Sequence, residues 1–175
     1  MSASVIAITG TPGTGKTTVA KELAKRTGWI HLNLNKEIVR RKLYSGYDRE
    51  RKSYIADTRC VSAFVKGFVA RKEGVIVDGQ LSHNLPSDII DKVIVLRCKP
   101  GVLKQRLEKR RWSQEKVREN VEAEMIGIIA WEARRNHKNV LELDATRASP
   151  SLLAARIEKA LKGRETKGKN IEWLK

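Results

Sequence analysis

The sequence predicts a three-layer α/β domain in which a five-stranded parallel sheet is flanked by helices. Short apolar runs rich in β-branched residues alternate along the chain with segments of helical periodicity, and this alternation is typical of parallel sheets. A glycine-rich run follows the first apolar segment and precedes a helical one. At 175 residues the chain is long enough for one such domain and short for two.

Five strands are predicted from short apolar segments, and the third and fourth are β-branched runs, the composition expected of strands that are buried on both faces. Six helices are predicted where apolar residues recur three or four positions apart. Serine, proline and glycine at the ends of these segments match the residues preferred at helix starts and stops. The strands cover residues 4–9, 29–33, 75–79, 93–96 and 140–144, and the helices cover 19–26, 36–43 and 57–72, then begin at Pro100, Ser113 and Ser149.

Two stretches between these elements need a separate interpretation. Residues 44–48, with the sequence YSGYD, are predicted as a turn. The helix after Ser113 is expected to bury one apolar stripe made of Val117, Val121, Met125 and Ile128.

The chain ends in a polar, basic tail with apolar residues close to its end. The predicted domain covers residues 1–162 and the tail covers 163–175, where Ile171, Trp173 and Leu174 are apolar. Two alternatives stay open for this tail. It is disordered, or Trp173 docks on a partner or on the domain itself.

The run GTPGTGKTT, residues 10–18, matches the phosphate-binding pattern G-x-x-x-x-G-K-[ST] without a mismatch. It lies between a predicted strand and a predicted helix, where backbone N–H groups and the helix N-terminus surround phosphate oxygens. Lys16 can reach the β and γ phosphates, and the Thr17 hydroxyl can ligate Mg²⁺. The chain is therefore predicted to bind a nucleoside triphosphate or a close relative of one.

The charge balance is strongly basic. Lysine and arginine total 36 against 20 acidic residues, which gives a formal net charge of +16 and a pI near 10.2. A field of this sign attracts nucleic acid, ribosomal surfaces or anionic membranes. A charged surface of the thermophile type explains the number of charges but not their imbalance. We expect an RNA or ribosome-linked partner.

The remaining composition points to the cytoplasm. No segment approaches the apolar length of a membrane span, and the N-terminus lacks the features of a signal peptide. Cys60 and Cys98 have neither metal-site nor disulfide-framework spacing, so each is expected to be a small buried or half-buried residue in a reducing compartment.

Asp78 ends the third predicted strand. An acidic residue there in proteins with this loop holds Mg²⁺ through water or orders a nucleophile, although a strand-terminal aspartate can simply cap a turn. Gln80 and His83 follow on a loop at the carboxyl edge of the sheet, where α/β sites form. His83 is a candidate base or substrate contact, although a lone surface histidine is more often inert.

Basic residues concentrate in a segment beyond the fourth strand. Residues 97–118 contain nine lysines and arginines against two glutamates, and Arg106 and Arg110 are four positions apart on one predicted helix face. Two guanidiniums that fold over the phosphate-binding loop would clamp a transferring phosphoryl group as part of a closing lid. A solvated basic face is the alternative interpretation.

A second basic segment, residues 35–59, holds eight lysines and arginines. In a small kinase with this loop, the phosphate acceptor binds in the corresponding region, so Arg40 and Arg59 are candidate anion ligands. An exposed helical hairpin is an equally good interpretation of each residue taken alone.

Taken together, the opening ITGTPGTGKTT, the LYSGYD turn, the strand and loop VDGQLSHNLP and the basic RLEKRRW segment resemble the adenylate kinase isoenzyme 6 family. This family is also known as the coilin-interacting nuclear ATPases and has archaeal members. The resemblance runs from about Val5 to Leu161. It implies a P-loop NTPase domain like that of nucleoside monophosphate kinases, with ATP and AMP as substrates, Mg²⁺ as cofactor and an additional ATPase activity.

The resemblance also implies a role in late maturation of the small ribosomal subunit, near the 3′ end of its rRNA, through transient contact with a platform protein. By position, the acceptor-binding insert would span about residues 33–56, including Asn33, and the lid about 109–119. Arg110 would be the lid arginine on the ATP phosphates, and Arg147 would lie by the adenine. The ATP-binding residues of the loop would be Gly13, Thr14, Gly15, Lys16, Thr17 and Thr18.

The chain departs from the family pattern at two places. Family members usually show Asp-x-His in the strand and loop motif, linked to ATP hydrolysis, whereas this chain has Asp78-Gly79-Gln80. Glutamine can orient a water molecule but cannot act as a titrating base. The acceptor arginine often lies one place earlier, at what is here Val39, and Arg40 is expected to substitute for it.

The expected reaction is ATP + AMP ⇌ 2 ADP, with Lys16, Arg106 and Arg110 offsetting the developing charge and Asp78 at the metal. Three alternatives stay open. The protein is an ATPase switch in ribosome assembly with incidental kinase activity, a basic RNA-binding factor that uses ATP to change shape, or another small kinase acting on shikimate or a coenzyme A precursor.

Overall fold

The computed structural model describes residues 5–163 and 170–174. Ser4, at the predicted start of the first strand, and residues 164–169 and 175 of the tail lie outside the described residues. Within them the strands are β1 (Val5–Thr9), β2 (Ile30–Asn33), β3 (Tyr44–Asp48), β4 (Ser53–Ala56), β5 (Val75–Asp78), β6 (Lys92–Arg97) and β7 (Val140–Asp144).

The main sheet contains five parallel strands in the order β2-β5-β1-β6-β7, so the predicted α/β fold is confirmed. Strand β1 is central and all five of its residues are buried, as expected of a strand covered on both faces. Strands β5 and β6 flank it on either side. The carboxyl ends of these three strands therefore lie at the same edge of the sheet, where the phosphate-binding run follows β1.

Two helical layers cover the sheet. Helices α1 and α7 pack on one face through Leu23 and Ile157, and helices α2, α3 and α6 pack on the other through residues such as Val65 and Ala133. The predicted caps of two helices are confirmed, because the Ser113 and Ser149 side chains accept backbone N–H bonds. The helices are α1 (Lys16–Thr27), α2 (Leu34–Arg40), α3 (Thr58–Val69), α4 (Pro100–Lys109), α5 (Gln114–Ile126), α6 (Ile128–Asn136) and α7 (Pro150–Leu161).

The prediction of a turn at residues 44–48 is wrong, because this segment is strand β3 of a hairpin. It pairs antiparallel with β4. The Tyr54 ring lies 4.3 Å from the Tyr44 ring and 5.1 Å from the Tyr47 ring, measured between centroids. Aromatic cross-strand contacts of this kind stabilise a hairpin, and they outweigh the turn-forming residues Ser45 and Gly46.

The single helix expected after Ser113 is in fact two helices, because the helical conformation is interrupted at Gly127. This residue has a left-handed conformation with φ 68°, and it ends α5 and caps α6. Met125 and Ile128, predicted to be core residues, are 36% and 40% exposed as a result. Val117 is buried as predicted, beneath α4.

The two cysteines have different environments. Cys98 is buried, as expected, whereas Cys60 on α3 is exposed, so the prediction for Cys60 is wrong. The apolar face of α3 is carried by Val61 and Val65, and Cys60 lies off that face.

The described end of the tail lies against the domain, which decides between the two alternatives for Trp173. Its indole Nε1 donates to Glu124 Oε1 at 3.0 Å. In the described ranges, 5–163 and 170–174, we find no helix with the length and apolar character needed to cross a bilayer.

Candidate active site

The phosphate-binding loop joins β1 to α1 and needs glycine at its first position. Gly10 has φ 142°, and a Cβ there would lie 2.4 Å from the Leu96 carbonyl oxygen of β6. Helix α1 begins at Lys16, three residues earlier than predicted, so its first backbone N–H groups belong to the loop itself. This arrangement presents unpaired donors and the positive end of the helix dipole to an anion.

Lys16 is folded across the loop. Its Nζ donates to the carbonyl oxygens of Gly10 at 2.7 Å and Thr11 at 3.1 Å. Burial lowers the pKa of Lys16 to about 8; Asp78 opposes this shift and Arg110 adds to it. A phosphate bound in the loop would give the ammonium group an anionic partner and favour its charged form.

Thr17 and Asp78 come together as the sequence predicts. The Thr17 hydroxyl donates to Asp78 Oδ2 at 2.6 Å, and Asp78 is buried at the end of β5. A hydroxyl and a carboxylate are hard oxygen ligands of the kind that Mg²⁺ prefers, so this pair fits the metal. Among residues 5–163 and 170–174, no cluster of three or more His, Cys, Asp or Glu could hold a metal, and Mg²⁺ in such sites takes its other ligands from water and phosphate.

Sequence reasoning missed His31 as a partner of Asp78. His31 Nε2 lies 2.5 Å from Asp78 Oδ1, and the Asn33 amide donates to Asp78 Oδ1 at 3.1 Å and Oδ2 at 3.2 Å. His31 and Asn33 are two positions apart on β2, so both side chains lie on one face, and Asn33 is in register with Asp78. The signal was therefore present as two polar residues alternating at the end of a strand.

Asn33 has a different environment from the one expected of an acceptor ligand. Its Oδ1 accepts from the Lys36 backbone N–H and caps α2, while its amide contacts Asp78. Its polar atoms are therefore already paired within the protein.

The two predicted lid arginines differ in environment. Arg106 is half-buried, and its guanidinium donates to Thr146 O at 2.9 Å, to Ala145 O at 3.1 Å and to Gly13 O at 3.4 Å. Arg110 caps the end of α4 and is exposed, yet its charge acts on Lys16. Arg106 therefore holds the phosphate-binding loop, and Arg110 stands near it.

A cavity of about 370 Å³ lies between the start of α4 and the loop after β7. Arg147 is one of its lining residues, in the loop where the sequence places it. Its volume falls in the range of small-ligand sites. The other lining residues are Lys99, Val102, Asp144, Thr146 and Ala148.

The candidate acceptor residues lie on exposed segments. Arg40 is 62% exposed at its side chain and pairs with Glu37 at 2.6 Å, an acidic partner that the sequence analysis did not single out. Hydrogen bonds from Arg40 and then Arg41 hold the pKa of Glu37 below its usual value. Arg59 in the first turn of α3 and Gln80 beyond β5 are exposed.

His83 is buried, so it is not the lone surface histidine of the alternative interpretation. Its Nδ1 lies 2.9 Å from Thr9 Oγ1 and its Nε2 lies 3.0 Å from Glu132 Oε2. Burial lowers its pKa, and hydrogen bonding to Glu132 opposes this effect. Thr9 also contacts the Gln80 carbonyl at 3.1 Å, so His83 stabilises the loop that carries Gln80.

Comparison with known proteins shows the family to which this chain belongs. A family model described as an AAA domain matches residues 6–127. The chain belongs to this family. The match includes the phosphate-binding loop, Asp78, Arg106 and Arg110, whereas Arg147 lies outside it.

Archaeal relatives of this AAA-domain protein match over most of their length. A protein named "Putative adenylate kinase" from Methanocaldococcus jannaschii is 35% identical over 168 residues, which cover 96% of this chain and 92% of the relative. A protein of the same name from Pyrococcus abyssi is 39% identical over 153 residues, covering 87% and 81%.

Solved structures confirm the fold. Shikimate kinase from Acinetobacter baumannii, in complex with shikimate, superposes with a TM-score of 0.69 at 17% identity, covering 95% of this chain and 97% of the kinase. The shikimate kinase from Bacteroides thetaiotaomicron gives 0.65 at 16% identity, covering 91% and 98%. At this identity the likeness concerns the architecture of the AAA-domain protein alone.

Proposed function

We propose that this protein is a nucleoside monophosphate kinase that transfers the γ-phosphoryl group of ATP to AMP or a related monophosphate. One observation carries the proposal: Thr17, next to Lys16 in the phosphate-binding loop, hydrogen bonds to the buried Asp78 at the end of β5. The name of the archaeal relatives supports adenylate kinase activity, ATP + AMP ⇌ 2 ADP, as the reaction.

The residues of the loop divide the work of binding. Lys16 and the backbone N–H groups at the start of α1 bind the β and γ phosphates, together with Gly13, Thr14, Gly15 and Thr18. Thr17 and Asp78 hold Mg²⁺, which offsets charge on the phosphates when it is bound. Arg110 approaches the transferring group from the lid, about residues 109–119, and Arg106 keeps the loop in place. Positioning and charge stabilisation suffice, so no covalent intermediate on the protein is required.

The acceptor enters from the other side of the loop, between the insert of about residues 33–56 and helix α3. Arg40 and Arg59 supply positive charge for the acceptor phosphate, and Gln80, on the loop after β5, contacts the acceptor. Arg147 lines the cavity of about 370 Å³ beside the start of α4, and we propose this cavity as the adenine site. A basic acceptor region suits a monophosphate better than a neutral acceptor.

The test is ADP formation from ATP by the purified protein with Mg²⁺, with and without AMP, alongside a Lys16→Ala control. A large stimulation by AMP that the Lys16→Ala variant lacks is the expected result. A rate that AMP does not change would overturn the kinase proposal. Shikimate is added in a parallel reaction, because the solved structures share this fold with shikimate kinases, and it is expected to give no stimulation.

We also propose an ATPase activity and a role in small-subunit maturation, with rRNA and a platform protein as transient cytoplasmic partners, as in the adenylate kinase isoenzyme 6 type. The net charge of +16 supports this role because it exceeds the needs of one nucleotide. Gln80 is exposed two positions after Asp78, and it supports this activity because a glutamine side chain can orient a water molecule. An assembly switch would hydrolyse ATP with its ribosomal partner and ignore AMP, whereas an RNA-binding factor would bind RNA without turnover.

A further inference from the structure

One buried carboxylate contacts both the phosphate-binding loop and the C-terminal segment. Glu124, near the end of α5, is 2% exposed. Its Oε2 accepts from the Thr11 hydroxyl at 2.7 Å, and its Oε1 accepts from the Trp173 indole at 3.0 Å. Thr11 and Trp173 are far apart in the sequence, so Glu124 is a direct link between them.

Arg97 holds the Glu124 carboxylate in place in the protein interior. Its Nε donates to Glu124 Oε1 at 2.8 Å and its Nη2 donates to the Glu124 backbone oxygen at 2.9 Å. The Cys98 backbone N–H adds a third donor to Oε1 at 3.0 Å. Arg97 is itself 2% exposed, so although it belongs to the basic segment expected to form a lid, it is a core residue.

Residues 170–174, here called the C-terminal strap, are held by the same group of charges. Arg97 Nη1 donates to the Ile171 carbonyl at 2.8 Å and to Glu142 Oε2 at 2.9 Å. The Ile171 backbone N–H lies 3.3 Å from Glu142 Oε2, and the Trp173 ring centre lies 5.8 Å from the Arg97 guanidinium carbon. Backbone and side chain of the strap therefore both contact the buried ion pairs.

The loop side of this link bears on phosphate binding. The carbonyl of Thr11 is one of the two that hold Lys16 in place, and it also accepts from the Thr14 hydroxyl at 2.8 Å. Fixing the Thr11 side chain thus fixes the peptide that orients Lys16 and Thr14. Helix α5 begins within the predicted lid, so the helix that carries Glu124 also joins the lid to the loop.

We propose that Glu124 is a positioning residue of the phosphate-binding loop, and that the C-terminal strap raises the affinity of this loop for ATP by holding Glu124 through Trp173. The inference rests on the proposed function only in taking ATP as the ligand of the loop. Preorganised binding loops bind more tightly because less ordering is left to the moment of binding.

The first experiment measures ATP affinity in the full chain by calorimetry with Mg²⁺ present. Trp173→Phe removes the indole N–H but keeps an aromatic ring, and it is expected to raise the Kd for ATP by about threefold to tenfold. Leu174→Ala, the matched control on the same strap, changes a side chain that is 56% exposed and is expected to leave the Kd unchanged. A chain that ends at residue 169 lacks the strap and should show at least the effect of Trp173→Phe.

The second experiment tests whether the strap acts through Thr11. Thr11→Val removes the hydroxyl that Glu124 accepts from, and it is expected to raise the Kd by about tenfold. If Trp173 acts on the loop through Glu124 and Thr11, the Kd of the double variant should exceed the Kd of Thr11→Val alone by less than about twofold. If the two residues act independently, the fold-changes in Kd of the single variants multiply. A multiplicative double variant, or a Trp173→Phe variant with wild-type Kd, overturns the proposal. Thermal unfolding of each variant separates lost affinity from lost folding.

The two proposals fail differently. If the wild-type protein binds ATP but AMP does not stimulate ADP formation, the kinase proposal is overturned. The role of the strap is then still decided by the Kd values of the single and double variants. A wild-type protein that binds no ATP overturns both.

Discussion

Asp78 is buried at the end of β5 and contacts the side chains of Thr17, His31 and Asn33. A carboxylate surrounded by donors in this way has a fixed position, which is what a metal ligand in a phosphoryl-transfer site needs. A substitution of Asp78 that removes the charge but keeps the shape of the side chain therefore tests its role as a metal ligand.

We expect Asp78→Asn to lower kcat for AMP-dependent ADP formation by at least about a hundredfold, because an amide cannot balance the charge of Mg²⁺. The substitution keeps the size of the side chain, and the Thr17 hydroxyl can still donate to the amide oxygen. The measurement is kcat over a Mg²⁺ titration, with Asp88→Asn, on an exposed aspartate, as control. A rate within a few fold of wild type would contradict the assignment.

Lys16 gives a pH dependence whose sign follows from its pKa. Because burial lowers this pKa from 10.5 to about 8 in the free protein, Lys16 loses its charge as the pH rises through about 8. Bound phosphate restores the charged form, so ATP binding at about pH 8.5 should take up a proton and weaken as the pH rises further. Calorimetry in buffers of different ionisation enthalpy measures the uptake, which Lys16→Arg should abolish. Binding without uptake in the wild type would contradict this account.

The same lowered pKa makes a prediction for stability. Between pH 8 and 10.5 the folded state holds Lys16 neutral while the unfolded chain still binds its proton, so this group makes unfolding less favourable as the pH rises. Below pH 8 both states carry the proton, and the cost of burying the charge is present in full.

How much of the site could be predicted depends on the range of the contacts. The loop with Lys16 and Thr17 was predicted because its motif is local in sequence. The approach of Asp78 followed from the parallel sheet. The contact Thr11–Glu124 joins residues 113 positions apart, and no spacing rule in the sequence reaches so far, whereas the polar pair His31 and Asn33 at the end of β2 was a signal that the sequence offered and the analysis did not use.

At the scale of elements, the break at Gly127 lies just beyond Glu124, whose side chain contacts Thr11 of the phosphate-binding loop. It ends α5 directly after the turn that carries Glu124, and it redirects the chain into α6. A Cβ at Gly127 would lie 3.2 Å from the Arg97 guanidinium, which is already hydrogen bonded to Glu124. Both the backbone and the space at this position therefore need glycine.

We expect Gly127→Ala to lower the free energy of unfolding by about 1–3 kcal/mol, because alanine is strained at positive φ and would displace Arg97. Gly101→Ala is the matched control: it lies in helix α4 with nothing within 4 Å of an added Cβ, and it should be neutral or stabilising. Urea unfolding measures both. Equal effects of the two substitutions would contradict the role given to Gly127.

The elements that were predicted correctly are those whose own sequence decides them. The five strands of the main sheet and the serine-capped helices follow from local composition. The β3–β4 hairpin was missed because the packing of Tyr44 and Tyr47 on Tyr54 depends on a strand that follows later. The break in the helix at Gly127 was missed because a lone glycine is tolerated within helices and the apolar periodicity continues across it.

At the scale of the whole molecule, the net charge of +16 is the feature that favours the proposed ribosomal role, because a kinase that binds only nucleotides does not need so large a positive charge. Some of the basic residues lie away from the phosphate-binding loop, on the β3–β4 hairpin, which also carries Asp48 and Glu50. Arg49, Arg51 and Lys52 are exposed between β3 and β4, beside the exposed rings of Tyr47 and Tyr54. Aromatic rings next to basic side chains are the usual components of surfaces that bind single-stranded nucleic acid.

We therefore expect the protein to bind single-stranded RNA with an affinity that falls steeply with salt, by about a thousandfold between 50 and 200 mM if at least six phosphates are contacted. The measurement is fluorescence anisotropy of a labelled small-subunit rRNA fragment over a salt series. Because the contacts are ionic, replacing Arg49, Arg51 and Lys52 with glutamine should reduce the salt slope, whereas Lys16→Ala, in the loop, should leave most of it. A protein whose charge serves only surface stability would bind the RNA weakly at every salt concentration, and that result would contradict the ribosomal role while leaving the kinase activity intact.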